Sequence, residues 1–266
     1  MSISSTVVDR ADIRFHAAAP VLQPYVGCFW VINAQCGATV RLVPDGTTAI
    51  AVEQQQNRDF DLYLRGPSLR PVERRFSAPT TLIGVRLRPG VAFNLSGVAA
   101  HAMLDRRVPL SDYAIFRELN EIDGAQLTAM QWIAVLQNFL ISRLERTGIH
   151  PLIERALAEI HAGQGCISVA DLAARCATSE RHLARLMRDW IGYGPKRYAN
   201  IVRFQATLAQ MDRAPQGPVA ALAAHSGYFD QSHLTVDVAR YSGATPGSLL
   251  SDHVSDFSKT RCDVPF

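Results

Sequence analysis

Arg181, Ala184, Arg185 and Arg188 recur at intervals of three and four residues, so a helix would carry them on one face. A guanidinium on such a face forks onto phosphate oxygens, or onto O6 and N7 of guanine together. Lys196, Arg197 and Arg203 follow. From Ser179 to Arg203 there are six basic residues against Glu180 and Asp189, a local charge of +4 within a chain of net charge +3. That chemistry suits a polyanion, with a merely solvated basic face as the alternative. A second arginine group, Arg70, Arg74 and Arg75, lies in Arg70-Pro71-Val72-Glu73-Arg74-Arg75, and Asn94-Leu95-Ser96 begins 20 residues after Arg74. Arginine forks pair with phosphate and guanine edges, while Asn94 and Ser96 offer the small polar contacts that orient a base. A cupin-like metal enzyme is the remote alternative for a strand-rich domain, but the clustered histidines it needs are not there: G-x-S-x-G, the phosphate loop and H-x-H are all missing. His16 and His101 are far apart, and His182, His225 and His233 read as helix-surface or capping residues, so no metal site or cofactor is expected. The 5 cysteines are odd in number and share no C-x-x-C spacing, which favours a reducing compartment, the cytoplasm.

These residues need two kinds of scaffold. The chain has 266 residues, 48% hydrophobic and 19% charged, a globular composition with length for two domains. No apolar run reaches the ~18 residues of a membrane span, and Met1 to Arg14 has no apolar signal region. The first hundred residues read as strands and turns. Val40–Val43 and Thr48–Val52 flank Pro44-Asp45-Gly46 as two short strands around a tight turn; Phe60–Leu64 and Thr81–Arg88 alternate and stop at Gly66-Pro67 and Pro89-Gly90. From residue 111 the period becomes helical. Between Gln126 and Arg146, Ala129, Ile133, Leu136, Leu140 and Leu144 form one stripe, and Trp132, Val135 and Phe139 a second. A second stripe means either full burial or a dimer face.

The C-terminal part repeats. Val169-x-x-Leu172-Ala173-Ala174 returns as Val219-x-x-Leu222-Ala223-Ala224 at an offset of 50, and Gly192-x-x-Pro195 returns as Gly243-x-x-Pro246 at 51. Each unit reads helix, turn, helix. Ser168, Ser179 and Asp230 are capping residues and Pro218 opens the second unit. The helix expected over Pro195–Met211 would set the two units about one DNA turn, ~34 Å, apart.

Leu172-Ala173-x-x-x-x-x-Ser179-x-x-x-Leu183-x-Arg185 and Gly227-Tyr228-x-Asp230-Gln231-Ser232-His233-Leu234, closed by Gly243-x-x-Pro246, resemble the two-unit DNA-binding domain of the AraC/XylS transcription regulators. The resemblance covers residues 149–251. Val43-Pro44-Asp45-Gly46 is similar, more weakly, to sensor domains of such regulators. What this implies is an α+β protein: a β-rich sensor domain, cupin-like or a small barrel, over 1–110; a helical dimerisation segment over 111–148; and an all-α DNA-binding domain with two helix-turn-helix units over 149–255. It implies Arg181 and Arg185 as base readers, with Arg188, Lys196, Arg197 and Arg203 on phosphates. In the second unit the family usually has Arg and an aromatic where this chain has Val236 and Val238. Gln231, Ser232 and Thr235 still suit base edges, but Arg240 stands alone against Asp230 and Asp237 from Pro218 to Ser251, a charge of −1. The first unit should therefore supply most of the affinity. The segment 70–75 with Asn94-Leu95-Ser96-Gly97-Val98-Ala99 resembles the PilZ pattern R-x-x-x-R…(D/N)-x-S-x-x-G, with Ala99 in place of the last glycine. That implies cyclic di-GMP as effector, held by Arg70, Arg74, Arg75, Asn94 and Ser96; an unrelated apolar or sugar-like metabolite is the alternative. The expectation is a non-enzymatic cytoplasmic regulator, an activator working as a homodimer with double-stranded DNA, a small effector and RNA polymerase, away from membranes.

Overall fold

The computed structural model describes residues 3–4, 6–55, 60–144, 148–213, 219–251 and 261–262. Seven strands make one antiparallel sheet: β1 (Thr6–His16), β2 (Val26–Leu42), β3 (Thr48–Gln55), β4 (Phe60–Arg65), β5 (Val72–Arg75), β6 (Thr80–Leu87) and β7 (Arg107–Pro109). Their order is β1-β2-β6-β3-β4-β7, and β5 pairs with β2. At 17 residues, β2 is long enough to serve two partners: β6 as far as Ala34, then β5 from Thr39. A register shift in β1 between Asp9 and Ala11, with Arg10 at φ 56°, bends the ribbon where this change occurs.

The strands flanking Pro44-Asp45-Gly46 do not form the expected hairpin. β6 lies between β2 and β3, so the turn is a corner between non-neighbours. Asp45 Oδ1 shapes it, accepting from the Thr47 amide at 2.9 Å and hydroxyl at 2.7 Å, and Gly46 supplies φ 76°.

One face of the sheet, with Val31, Ile50, Val52, Leu64, Ile83 and Val85, is covered by α2 (Ala129–Leu144). Trp132, Phe139 and Val135, the second stripe, pack into this same core, with the Trp132 ring 5.4 Å from that of Phe60. The stripe is buried within its own domain and is not a free dimer face. The opposite sheet face, with Ile32, Ala34, Val40, Phe76 and Leu82, curls around a cavity. A short helix, α1 (Val91–Ser96), follows β6.

The helices after residue 148 are α3 (Pro151–Ala162), α4 (Val169–Arg175), α5 (Glu180–Ile191), α6 (Pro195–Arg213), α7 (Val219–His225), α8 (Gln231–Ser242) and α9 (Pro246–Ser251). The caps read from sequence form. Ser168 accepts from the Asp171 amide at 3.0 Å, Ser179 from the His182 amide at 3.2 Å and Asp230 from the His233 amide at 2.7 Å. Gly192 and Gly243 close α5 and α8 in the left-handed region. Pro218 and Arg146 lie outside the described residues. The α4–α5 and α7–α8 pairs share a core with α3 and α6, and Val43 from the strand domain inserts into it. Tyr193 donates from its hydroxyl to the Ser68 carbonyl at 2.6 Å, and Gln205 Nε2 to the Pro44 carbonyl at 2.6 Å.

Candidate nucleic-acid interface and effector cavity

The second helix of each unit divides cleanly by burial. On α5, Leu183, Met187 and Ile191 enter the core, while Arg181, Arg185 and Arg188 are exposed and Ala184 is half-buried between them. This helix is anchored by one face and offers three arginines on the other. Arg185 lies 3.2 Å from His182 Nδ1 and 3.9 Å from Asp189, loose contacts that a base edge or phosphate can replace. Lys196 and Arg197, at the start of α6, are also exposed.

Arg203 does not join them. It is buried, and its guanidinium donates to Asp237 on α8 at 2.8 Å and stacks 4.4 Å from the Tyr228 ring centroid. Burial pulls its pKa down, but the bond to Asp237 and the Tyr228 hydroxyl outweigh that and hold it above the ordinary arginine value. The phosphate contact expected of Arg203 is therefore replaced by a structural one, tying α6 to α8.

On α8, Gln231 and Ser232 are exposed and Thr235 is half-buried, its hydroxyl donating to the Gln231 carbonyl at 2.8 Å. Val236 is 66% exposed, whereas Val238, two residues on, is fully buried. Phe229, in the turn before α8, is 93% exposed, and the sequence reading passed over it. The histidines are accounted for locally: His225 Nδ1 sits 2.7 Å from the Ala221 carbonyl, and His233 packs edge-on to Tyr228. Among the described residues no cluster of three potential metal ligands occurs.

The cavity in the strand domain has a volume of about 210 Å³. Ile13, Phe15, Trp30, Ile32, Ala49, Ala51 and Leu82 give it an apolar wall. Gly84 makes room for that wall, because a Cβ there would lie 2.2 Å from Trp30 Cζ2. The other end is polar, with Tyr63, Arg65, Arg74, Arg106 and Arg107. Glu53, buried in β3, holds two of these arginines: Arg74 at 2.7 Å through Nη1 and Arg107 at 2.7 Å. Arg107 also stacks 3.6 Å from the Tyr63 ring centroid. Burial pushes the Glu53 carboxyl up, but hydrogen bonding and charge from Arg74 and Arg107 prevail and keep it below its usual range. A carboxylate inside a buried strand was the sequence signal for this network, and the sequence reading missed it.

The five residues of the PilZ-like pattern are not brought together. Arg74 lines the cavity; Arg75, its neighbour on a strand, is exposed. Arg70 lies in a different cleft, against Arg197 and Arg240. Asn94 and Ser96 sit on α1, outside the residues lining the cavity, and the Ser96 hydroxyl donates to the Ala92 carbonyl at 2.7 Å. That helix instead faces α5, with the Phe93 ring 4.7 Å from Trp190.

Residues 172–252 match the model of a family described as a helix-turn-helix domain. This part of the chain folds as two helix-turn-helix units, the α4–α5 and α7–α8 pairs. Residues 14–109 match a separate model, a domain of unknown function designated DUF6597. A putative AraC-like transcription regulator from Streptomyces antibioticus is 34% identical over 98 residues, covering 36% of this chain and 32% of its own length. The match thus spans about a third of that relative. Among solved structures, ToxT from Vibrio cholerae aligns over 94% of this chain and 99% of its own, at 10% identity and TM-score 0.45. An unsaturated fatty acid-bound form of ToxT from Vibrio cholerae strain SCE256 aligns over 96% and 98%, at 12% identity and TM-score 0.44. The helix-turn-helix domain and the strand domain together make an α+β chain, and no helix among the described residues is long and apolar enough to cross a membrane.

Proposed function

We propose that the chain is a sequence-specific DNA-binding transcription regulator gated by a small effector. The observation that carries this reading is α5: a helix of a helix-turn-helix domain, buried on one side, with Arg181, Arg185 and Arg188 free for DNA on the other. Arg181 and Arg185 read bases from the major groove; Arg188, Lys196 and Arg197 hold phosphates. Gln231, Ser232 and Thr235 on α8 reach base edges in a second groove segment, with Arg240 the one Lys or Arg on that helix. The test is Arg185→Ala against a library-selected operator. Loss of roughly 1–3 kcal/mol of sequence preference is expected, and unchanged preference would refute the assignment.

The cavity supplies the effector site. Its apolar wall and arginine-rich end suit a small molecule with an apolar body and one anionic group that competes with Glu53 for Arg74 or Arg107. Cyclic di-GMP is the finer reading, favoured by the arginines at the polar end, but Arg70, Arg75, Asn94 and Ser96 contribute nothing to the cavity lining. Calorimetric titration with cyclic di-GMP beside apolar carboxylates and sulfonates separates the two. Activation through RNA polymerase, a homodimer matched to paired half-sites and a cytoplasmic location complete the proposal. The division at residues 110 and 148 belongs to it as well. Because the Trp132 stripe is buried, the dimer uses another surface.

A further inference from the structure

The loop joining β4 to β5 has two sides. Gly66 and Ser68 line the effector cavity, as do Val72 and Arg74 beyond the loop. Leu69, Arg70 and Pro71 instead form one wall of a cleft of about 530 Å³ whose other wall is Arg197 and Arg240. Leu69 and Arg197 continue into a neighbouring cleft containing Arg188 and Lys196. The two clefts make one trough along the seam between the domains, running from α8 through the start of α6 to α5. Five cations line it, and no Asp or Glu lines either cleft among the described residues. Arg70, Arg197 and Arg240 form no ion pair with a described residue, unlike Arg74, Arg107 and Arg203.

Like charges gathered without counter-charge repel one another and favour an anionic occupant. Here the cations are strung out between two DNA-reading helices rather than converging on one point. That pattern matches a line of phosphates better than a single small anion. We propose that the strand domain itself contacts DNA: Arg70, with Arg197 and Arg240, holds backbone phosphates of the duplex along this trough. The proposal rests on the reading of α5 and α8 as recognition helices. It also places a DNA contact on the loop that walls the effector cavity, next to Ser68, which is fixed by Tyr193, and Leu69, whose amide donates to Asp105 of the cavity lining at 2.8 Å.

The test uses the full chain and a mixed-sequence duplex of roughly 30 base pairs, about three helical turns, with anisotropy read across a salt series. Arg70→Ala should weaken binding several-fold at moderate salt and reduce the slope of log K against log salt by about one counterion. Arg70→Lys should retain the slope, because charge rather than fork geometry sets it. Arg240→Ala, on the other wall and in the other domain, should give the same loss as Arg70→Ala, so the result does not hang on the integrity of one loop. Arg70→Ala and Arg240→Ala that both match the parent at every salt concentration, while Arg185→Ala binds more weakly, would overturn this inference and leave the regulator reading standing. A parent protein without salt-dependent binding would overturn both. Inorganic pyrophosphate distinguishes the source of phosphate: calorimetric heat lost in Arg70→Ala with DNA affinity unchanged would assign the trough to a free phosphorylated ligand and overturn the DNA contact.

Discussion

Arg203→Ala should destabilise the DNA-binding domain itself rather than merely weaken its hold on DNA. The side chains of Arg203 and Asp237 are only 7% and 9% exposed and meet at 2.8 Å. Truncating the arginine leaves a carboxylate in the core without its partner, a loss of about 3–5 kcal/mol. It also removes the guanidinium from the Tyr228 ring. For a chain of this size that lowers the melting temperature by roughly 6–20 °C if it unfolds as one unit. Calorimetry or circular dichroism would show the drop. The double variant Arg203→Met with Asp237→Leu should recover most of it, because an apolar pair of similar volume needs no counter-charge. A phosphate contact behaves oppositely: its removal leaves the melting temperature alone and reduces the salt slope of DNA binding by about one counterion. A Tm within a degree or two of the parent, together with a reduced slope, would refute the buried-pair account.

Val236→Arg places a guanidinium on an exposed position of the charge-poor α8 and should tighten DNA binding by roughly 1 kcal/mol with a steeper salt dependence, measured by anisotropy over a salt series. His161, half-buried with its Nε2 2.9 Å from the Tyr198 hydroxyl, has its pKa lowered by desolvation from 6.5 to about 4. Its contribution is present above pH 6.5 and is lost as pH falls toward about 4, so His161→Phe should flatten the stability profile in that window, as denaturant melts at stepped pH would show. Ala51→Leu projects into the apolar end of the cavity; it should abolish binding of an anilinonaphthalene sulfonate probe while leaving DNA affinity unchanged, read by probe fluorescence and anisotropy.

What was legible in the sequence was what depends on near neighbours. The serine and aspartate caps, the closing glycines and the arginine face of α5 are set within one or two turns of helix, and the structure places them as the spacing implies. Arg203 could not be read this way. Its partner lies 34 residues away, and only the packing of α6 on α8 brings them together. Trp132 is similar: its place in the core depends on Phe60 and on Gly124, where a Cβ would lie 2.1 Å from the indole. The arginine pattern at 70–75 shows a different limit. Arg70 sits in a loop and Arg74 on a strand, so regular sequence spacing carried them into separate clefts.

The seam has a consequence for inheritance. Gly46 presses its bare Cα against Tyr198, where a Cβ would lie 2.5 Å from Cε2, and Gln205 of α6 spends its amide on the Pro44 carbonyl of the strand domain. Tyr193 does the same at Ser68. A foreign sensor spliced ahead of residue 149 would strand these polar atoms and uncover the apolar pocket that receives Val43. Recombination cannot exchange the two halves as interchangeable parts. The corner at 43–46 and the helices it meets have to descend together, and a working chimera must carry that corner along with the DNA reader.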